Sequence, residues 1–340
     1  MISCGCVGLN VGWNCSAKCK HCFYRRDARL GTTTNQYSFE KMKADIDKGK
    51  AMGCNRVTAI GEGEPMLNRD IKRVVEYCKS IGMATNIITT GILPPTKYEE
   101  LFNAGLNHLQ FSCHHLGDKF DEIVELPGAF IKQRRTIDWC KANNKPFRTN
   151  TTVQQLNYKD LETIVENLIA QKPFHISLLG FLPHYEWKSH SEEVIVHPAE
   201  LRPHIEKSAQ MVLDAGILLT IRYHPLCHLD PKYWPYVTNA LYVVYDPMEW
   251  YYNVFTEDVG KMWDNAEHMR DSVCVKGEPC DSCAVKLHCG AWNKTNVEAL
   301  SGAGLRAIKV EEVPSEYRSV LNVKGGIFDM SPTNHHTGIV

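Results

Sequence analysis

Along the first 215 residues, short apolar runs alternate with amphipathic stretches. Val7–Val11, Arg56–Ile60, Ala84–Thr90, Leu106–Ser112, Phe147–Val153 and His175–Phe181 are strand-length and rich in β-branched residues. Between them, Ser38–Met52, Asn68–Ser80, Thr96–Asn103, Gly128–Asn143, Tyr158–Gln171 and Pro198–Ala215 carry helical spacing. The punctuation agrees: Ser38 and Asn68 stand as N-caps, Gly53 and Gly82 follow helix ends, and Gly91 with Pro94–Pro95 stops a strand. Six alternations predict parallel strands joined by right-handed crossovers. A closed eight-unit barrel needs roughly 250 residues, so the expected fold is α/β, a partial (β/α)6 barrel over residues 1–215. Functional loops in such folds follow the strand C-termini. The Cys-rich loop after the first strand, Gly61–Pro65, Thr89–Gly91 and Ser112–His115 therefore converge on one face.

After Gly216 the texture changes. A strand at Ile217–Tyr223 leads to Pro225-Leu226-Cys227, then to a hairpin-like pair around Leu241–Tyr245 and Trp250–Phe255 and a second group of cysteines at 274–289. This predicts a small second domain over 216–300. Residues 301–340 show little periodicity and read as a tail, either a cover for the active face or a loose end.

Composition narrows the classes. Lys and Arg number 38 against 39 Asp and Glu, a net charge of −1, so no large basic surface for nucleic acid is advertised. A single nucleotide or a peptide needs no such surface and stays open. No stretch reaches the roughly 18 apolar residues of a membrane span, and no secretory leader is read at the start. The expectation is a cytoplasmic protein. In that setting 14 cysteines, clustered, point to metal or redox chemistry rather than disulfides.

The first cluster is Cys15-x3-Cys19-x2-Cys22. Three thiolates on one loop can hold three irons of a cubane and leave the fourth open, whereas four thiolates close it. A structural zinc site with a distant fourth ligand is the alternative. This loop, placed after a first strand and followed by Phe23-Tyr24, resembles the radical S-adenosylmethionine (SAM) superfamily. The resemblance covers roughly residues 7–215. It implies a [4Fe–4S] cluster on Cys15, Cys19 and Cys22 whose open iron chelates SAM. One electron then yields a 5′-deoxyadenosyl radical that abstracts hydrogen from a substrate. It also places His21 near adenine and Tyr24 among the cofactor contacts. Gly63-Glu64-Pro65 matches the family's Gly-Gly-Glu-Pro segment for the SAM amino group, with Glu62 where the first Gly would stand. Thr90, in Thr89-Thr90-Gly91, Ser112 at the end of strand four, and Asn150 on strand five are the further implied SAM contacts.

The second group, Cys280-x2-Cys283-x5-Cys289 with Cys227 upstream, resembles the SPASM and twitch extensions of one branch of these enzymes. It implies one auxiliary [4Fe–4S] cluster on Cys227, Cys280, Cys283 and Cys289, with Cys274 as a fifth candidate. A zinc knuckle is the alternative, because Cys-x2-Cys does not separate zinc from iron–sulfur.

Cys113-His114-His115 falls at a strand end on the same face. A thiol there would return hydrogen to a substrate radical, and the two imidazoles would bind substrate or move protons; the bland alternative is packing and solvent. His184, Arg222, His224, Asp246, Glu249 and Trp250 are polar or aromatic residues near the second cluster, read mostly as surface or core partners. Three functions compete. The first is an oxidising radical SAM enzyme acting on a small molecule, nucleotide or peptide and served by a flavodoxin- or ferredoxin-type reductase. With no peptide-recognition unit read ahead of strand one, the sequence tilts toward small molecules. The second is a redox-neutral epimerase with Cys113 as donor. The third is a non-enzymatic iron–sulfur or zinc protein.

Overall fold

A computed structural model describes residues 6–22, 36–51, 53–60, 63–181, 194–238, 251–253, 274–275, 277–286, 288–289, 292–293, 300, 304–319 and 321. Nine parallel strands form one sheet in the order β8-β7-β6-β5-β4-β3-β2-β1-β9. Its body is β1 (Cys6–Asn10), β2 (Arg56–Ile60), β3 (Ala84–Thr89), β4 (His108–Ser112), β5 (Phe147–Val153), β6 (His175–Gly180) and β7 (Leu218–Arg222). The short β8 (Val237–Thr238) joins β7, and β9 (Tyr251–Asn253) joins β1. The helices are α1 (Phe39–Ala51), α2 (Ile71–Ser80), α3 (Pro95–Ala104), α4 (Gly117–Val124), α5 (Ala129–Ala142), α6 (Leu161–Gln171) and α7 (Pro198–Asp214). The strands curl into a half-barrel, the expected partial (β/α)6 architecture.

Period-two alternation sorts the strand side chains. Val7, Leu9, Val57, Ala59, Ile87, Leu109, Phe111, Ile176, Leu178, Leu219 and Ile221 are buried in the main hydrophobic cluster with the helices. The helices answer with stripes at i, i+3, i+4 and i+7: Ile71, Val74, Val75 and Cys78 on α2, and Leu161, Ile164, Val165 and Leu168 on α6. Each such aliphatic side chain contributes roughly 1.5–3 kcal/mol of gross burial energy. At Gly49 of α1 a Cβ would stand 2.2 Å from a methyl of Val7, so glycine is what lets this helix lie flat on β1. The other strand face is polar and lines the lumen.

Three expectations are adjusted. The helix expected from Asn68 starts at Ile71; Asn68 instead accepts from the Asp70 N–H and donates to the carbonyls of Val11 and Tyr37. The expected hairpin around Trp250–Phe255 is not the pairing seen for Tyr251–Asn253, which lies parallel to β1; Leu241–Tyr245 falls outside the described residues. The sheet also continues past residue 215 through β7 and β8. Among the described residues, no helix is long and apolar enough to cross a membrane.

Candidate active site

The loops after β1 to β5 meet over the C-terminal mouth of the half-barrel. The Cys loop after β1 is held from below and from the side. The Glu64 N–H donates to the Asn14 carbonyl at 2.7 Å, and the N–H groups of Lys18 and Lys20 donate to Val124 and Ile123 carbonyls at the end of α4, at 2.9 and 2.8 Å. The Cys22 N–H closes a tight turn on the Cys19 carbonyl. A Cβ on Gly63 would sit 2.3 Å from the Asn14 oxygen. Backbone cannot yield there, so only glycine lets the two loops touch. Cys15 is exposed, and Cys19 and Cys22 are half-buried.

Glu64 is buried, and its carboxylate is fully dressed. Oε1 accepts from Thr89 Oγ1 at 2.7 Å and from the Met66 N–H at 3.2 Å; Oε2 accepts from the Thr90 N–H at 2.8 Å and Thr90 Oγ1 at 2.6 Å. Pro65 follows as the first residue of a 3-10 turn, its missing N–H costing nothing there. Gln133 of α5 reaches in and donates to the carbonyls of Thr90 (2.7 Å) and Ser112 (2.9 Å), joining the ends of β3 and β4. Ser112 stands opposite Asn150 in register, with 3.5 Å between Oγ and Oδ1. His21 meets Gln154, just past β5, at 3.0 Å, and its ring abuts His114 edge-on at 4.3 Å. The curl of the sheet brings first-loop and fifth-strand residues together; in a flat sheet four strand spacings separate them by roughly 19 Å.

The sequence profile of the Radical SAM superfamily matches residues 9–168. Residues 9–168 are thus a Radical SAM superfamily domain. An AdoMet-dependent heme synthase from Oleidesulfovibrio alaskensis is 28% identical over 182 residues, 52% of this chain and 46% of the relative. A PqqA peptide cyclase from Methylocella silvestris is 30% identical over 143 residues, 42% and 36% of the two chains. This radical SAM chain thus matches about half the length of these relatives or less. In structure, Streptococcus suis SuiB, solved with S-adenosylmethionine and with its precursor peptide SuiA, superposes with a TM-score of 0.60 at 17% identity, over 89% of this chain and 77% and 75% of the two SuiB chains.

Within this radical SAM fold the structure gathers Cys15, Cys19, Cys22, His21, Gly63, Glu64, Pro65, Thr90, Ser112 and Asn150 at one mouth. Tyr24, Gly61 and Glu62 lie outside the described residues, as do His184, Asp246, Glu249 and Trp250. The Cys113 triplet is dispersed. Ser112 faces the lumen, so the next residue turns away: Cys113 is 3% exposed and packs in the main hydrophobic cluster. Burial pushes its thiol up to about 12, against a smaller downward pull from Arg134 of the outer helix α5. The expectation of a hydrogen donor facing the reaction space is corrected by that alternation. His114 is buried against His21, and burial, followed by the nearby His21, holds its ring well below the usual histidine range. His115 is tied elsewhere: Nδ1 accepts from the Leu116 N–H, and Nε2 meets Asp160 at 3.1 Å, with Lys119 on the same carboxylate. It anchors the strand-four loop to the segment before α6.

Gln133, Gln154 and Asn157 were not singled out from sequence, and Thr89 was named only within the motif Thr89-Thr90-Gly91. Asn157 donates to the carbonyls of His114 and Thr152 and accepts from the Gln154 N–H. Thr89 and Gln154 stand at strand ends, a readable signal; Gln133 sits mid-helix and has none.

The second group of cysteines also converges. Cys227 follows β7 in the turn Leu226–His228, and Cys280 lies in the single helical turn α8 (Glu278–Asp281). With Cys283 and Cys289 they line one pocket, joined by Arg306 and Ile308. The Ile308 N–H donates to Cys283 Sγ at 3.4 Å, and the Ala284 N–H to the Ile308 carbonyl at 2.8 Å. Cys274 lies on a separate antiparallel pair, opposite Asn293.

Proposed function

We propose that this protein reductively cleaves SAM and uses the resulting radical to abstract hydrogen from a substrate, assisted by an auxiliary [4Fe–4S] cluster. The observation that carries this reading is the contact of the three-cysteine loop with Gly63-Glu64, which puts three thiols beside a buried carboxylate saturated with donors. The donor set suits a cubane with one open corner, held by Cys15, Cys19 and Cys22. When bound, cluster and SAM would supply the one-electron cleavage that gives methionine and a 5′-deoxyadenosyl radical.

The chain's own part is positioning. Thr89, Thr90 and the Met66 N–H fix the Glu64 carboxylate beneath the Cys loop, where, with its acceptor sites filled, its negative charge favours a nearby cationic amine without bonding it directly. Ser112 and Asn150 offer hydrogen bonds to hydroxyl or carboxylate groups. His21, steadied by Gln154, offers a flat ring for a base. His114, buried and neutral, walls the pocket and keeps water from its rear.

Cys227, Cys280, Cys283 and Cys289 would hold the auxiliary cluster. One pocket lined by four thiols supports this. The substrate class supported by PqqA peptide cyclase and by SuiB with SuiA is a peptide, against the tilt of the sequence toward small molecules.

The test is anaerobic reconstitution, iron and sulfide analysis, and dithionite-driven turnover with chromatography of the nucleoside product. About eight irons per chain and 5′-deoxyadenosine are expected, with nucleoside formation abolished in Cys15→Ala. Zinc in place of iron, or SAM left intact by iron-replete protein, would overturn the proposal.

A further inference from the structure

The lumen beneath this mouth has an unusual charge balance. Strands β1 to β7 contain no Asp or Glu, yet they carry Arg56, Arg148, Arg222, His108 and His175. All five fall on the lumen face. The register sets Asn86 opposite His108, Gln110 opposite Arg148, and Ser177 opposite Thr220, with the aliphatic residues between them turned to the helices. Same-face contacts agree: Thr58 donates to Asn86 Oδ1 at 2.7 Å, and His175 Nε2 meets Thr220 Oγ1 at 2.7 Å.

Several of these polar atoms are buried without a partner among the described residues: Arg148 Nε, Asn86 Nδ2, His108 Nε2 and Gln110 Oε1. Asn86 and Gln110 are 3% and 8% exposed. Burial, followed by the charges of Arg148, Arg56 and His175, holds His108 well below the usual histidine range, so its ring is neutral and keeps one N–H to donate. Each orphaned buried donor costs about 1–3 kcal/mol; Arg148 is half-buried, with its Nε sealed from water. The group that answers the three donors, Arg148 Nε, Asn86 Nδ2 and His108 Nε2, is an anion with several acceptor oxygens, while the acceptor Gln110 Oε1 calls for a donor of its own, such as a water or a hydroxyl.

The position is also informative. Gln110 and Arg148 lie two residues down their strands from Ser112 and Asn150, a drop of roughly 6.6 Å. An anion on that floor sits directly below the mouth. We infer that the lumen floor formed by Arg148, Asn86 and His108 binds an anionic oxygen group, a carboxylate or phosphate, of the substrate. Calling the bound molecule the substrate rests on the radical SAM reading; the anion site itself does not.

The experiment follows the thermal midpoint of the reconstituted full chain in low-salt buffer while inorganic phosphate or acetate is titrated in. Wild type and the surface control Arg69→Gln should rise with one or both anions. Arg148→Gln should weaken the apparent affinity at least about tenfold. Gln110→Glu supplies a carboxylate opposite Arg148; it should raise the midpoint without anion and abolish the response. A response to phosphate alone assigns a phosphate, and a response to acetate assigns a carboxylate. Wild type unmoved by either anion, or Arg148→Gln responding as wild type does, overturns the site. Should Arg148→Gln not fold, a wild-type response in folded Gln110→Glu does the same. SAM cleavage in the same samples separates the two readings: cleavage without an anion response sinks the anion site alone, and the converse sinks the radical reading alone.

Discussion

At the barrel mouth three cysteines lie within eight residues of one loop, whereas the four of the second group are drawn from positions 227 to 289. The first loop takes its shape from the barrel: its hydrogen bonds run to Glu64, Ile123 and Val124, all parts of βα units already built. The second group shapes itself by short-range turns, the Cys283 N–H on the Cys280 carbonyl and the Cys289 N–H on the Val285 carbonyl, with the strip at 305–308 laid against them. Metal binding to such a segment is also folding energy. The mouth should therefore keep its form when its metal is removed, and the second site should lose it.

The sharpest way to test that contrast is Glu64→Gln. An amide places one N–H₂ where the carboxylate accepts from Thr89 or Thr90, so two charge-assisted bonds are lost at about 1.5–3 kcal/mol each. SAM-cleavage efficiency should fall at least about 30-fold, read from 5′-deoxyadenosine formation, while iron content stays at the wild-type level. A cleavage rate near wild type would show that the mouth does not depend on this carboxylate. Next, Cys280→Ser with Cys283→Ser should remove about four irons per chain and leave uncoupled SAM cleavage within about threefold. Limited proteolysis should then cut within 277–308 and spare the barrel. A barrel cut just as quickly would show the two regions to be one cooperative unit.

The smallest effect is alkaline. The Cys78, Cys113 and Cys140 thiols are each pushed from 9.0 up to about 12, chiefly by burial. Above pH 9 the unfolded chain releases these protons and the folded chain keeps them, so stability falls as pH rises from about 9 toward 12. Cys113→Ala should make that fall shallower and cost about 1 kcal/mol at neutral pH, with turnover within about twofold of wild type. A large loss of turnover would return Cys113 to the chemistry.

Much of this was legible because local pattern and tertiary role agreed. Arg56–Ile60 and Phe147–Val153 are β-branched runs between clear stops, and both strands have those bounds. Glu64 was legible as a residue, since its neighbours Gly63 and Pro65 have conformational reasons of their own. The helix α4 was not expected: eight residues hold too few turns to show a period, yet its end carries the carbonyls that pin the Cys loop. The β9–β1 pairing was hidden because no local feature of Tyr251–Asn253 names its partner. Cys113 was misassigned although the signal was present, since a lumen-facing Ser112 already sends residue 113 to the opposite side.

That late strand has a consequence for how the chain comes to be made. Val7 pairs with Tyr252 as well as with Val57, so one flank of the first strand waits for a segment synthesised about 245 residues later. Until it emerges from the ribosome, the nascent protein presents an open hydrogen-bonding edge beside the thiols meant for iron. A product that stops short of residue 251 should sediment as aggregate even though every helix of the half-barrel has been translated.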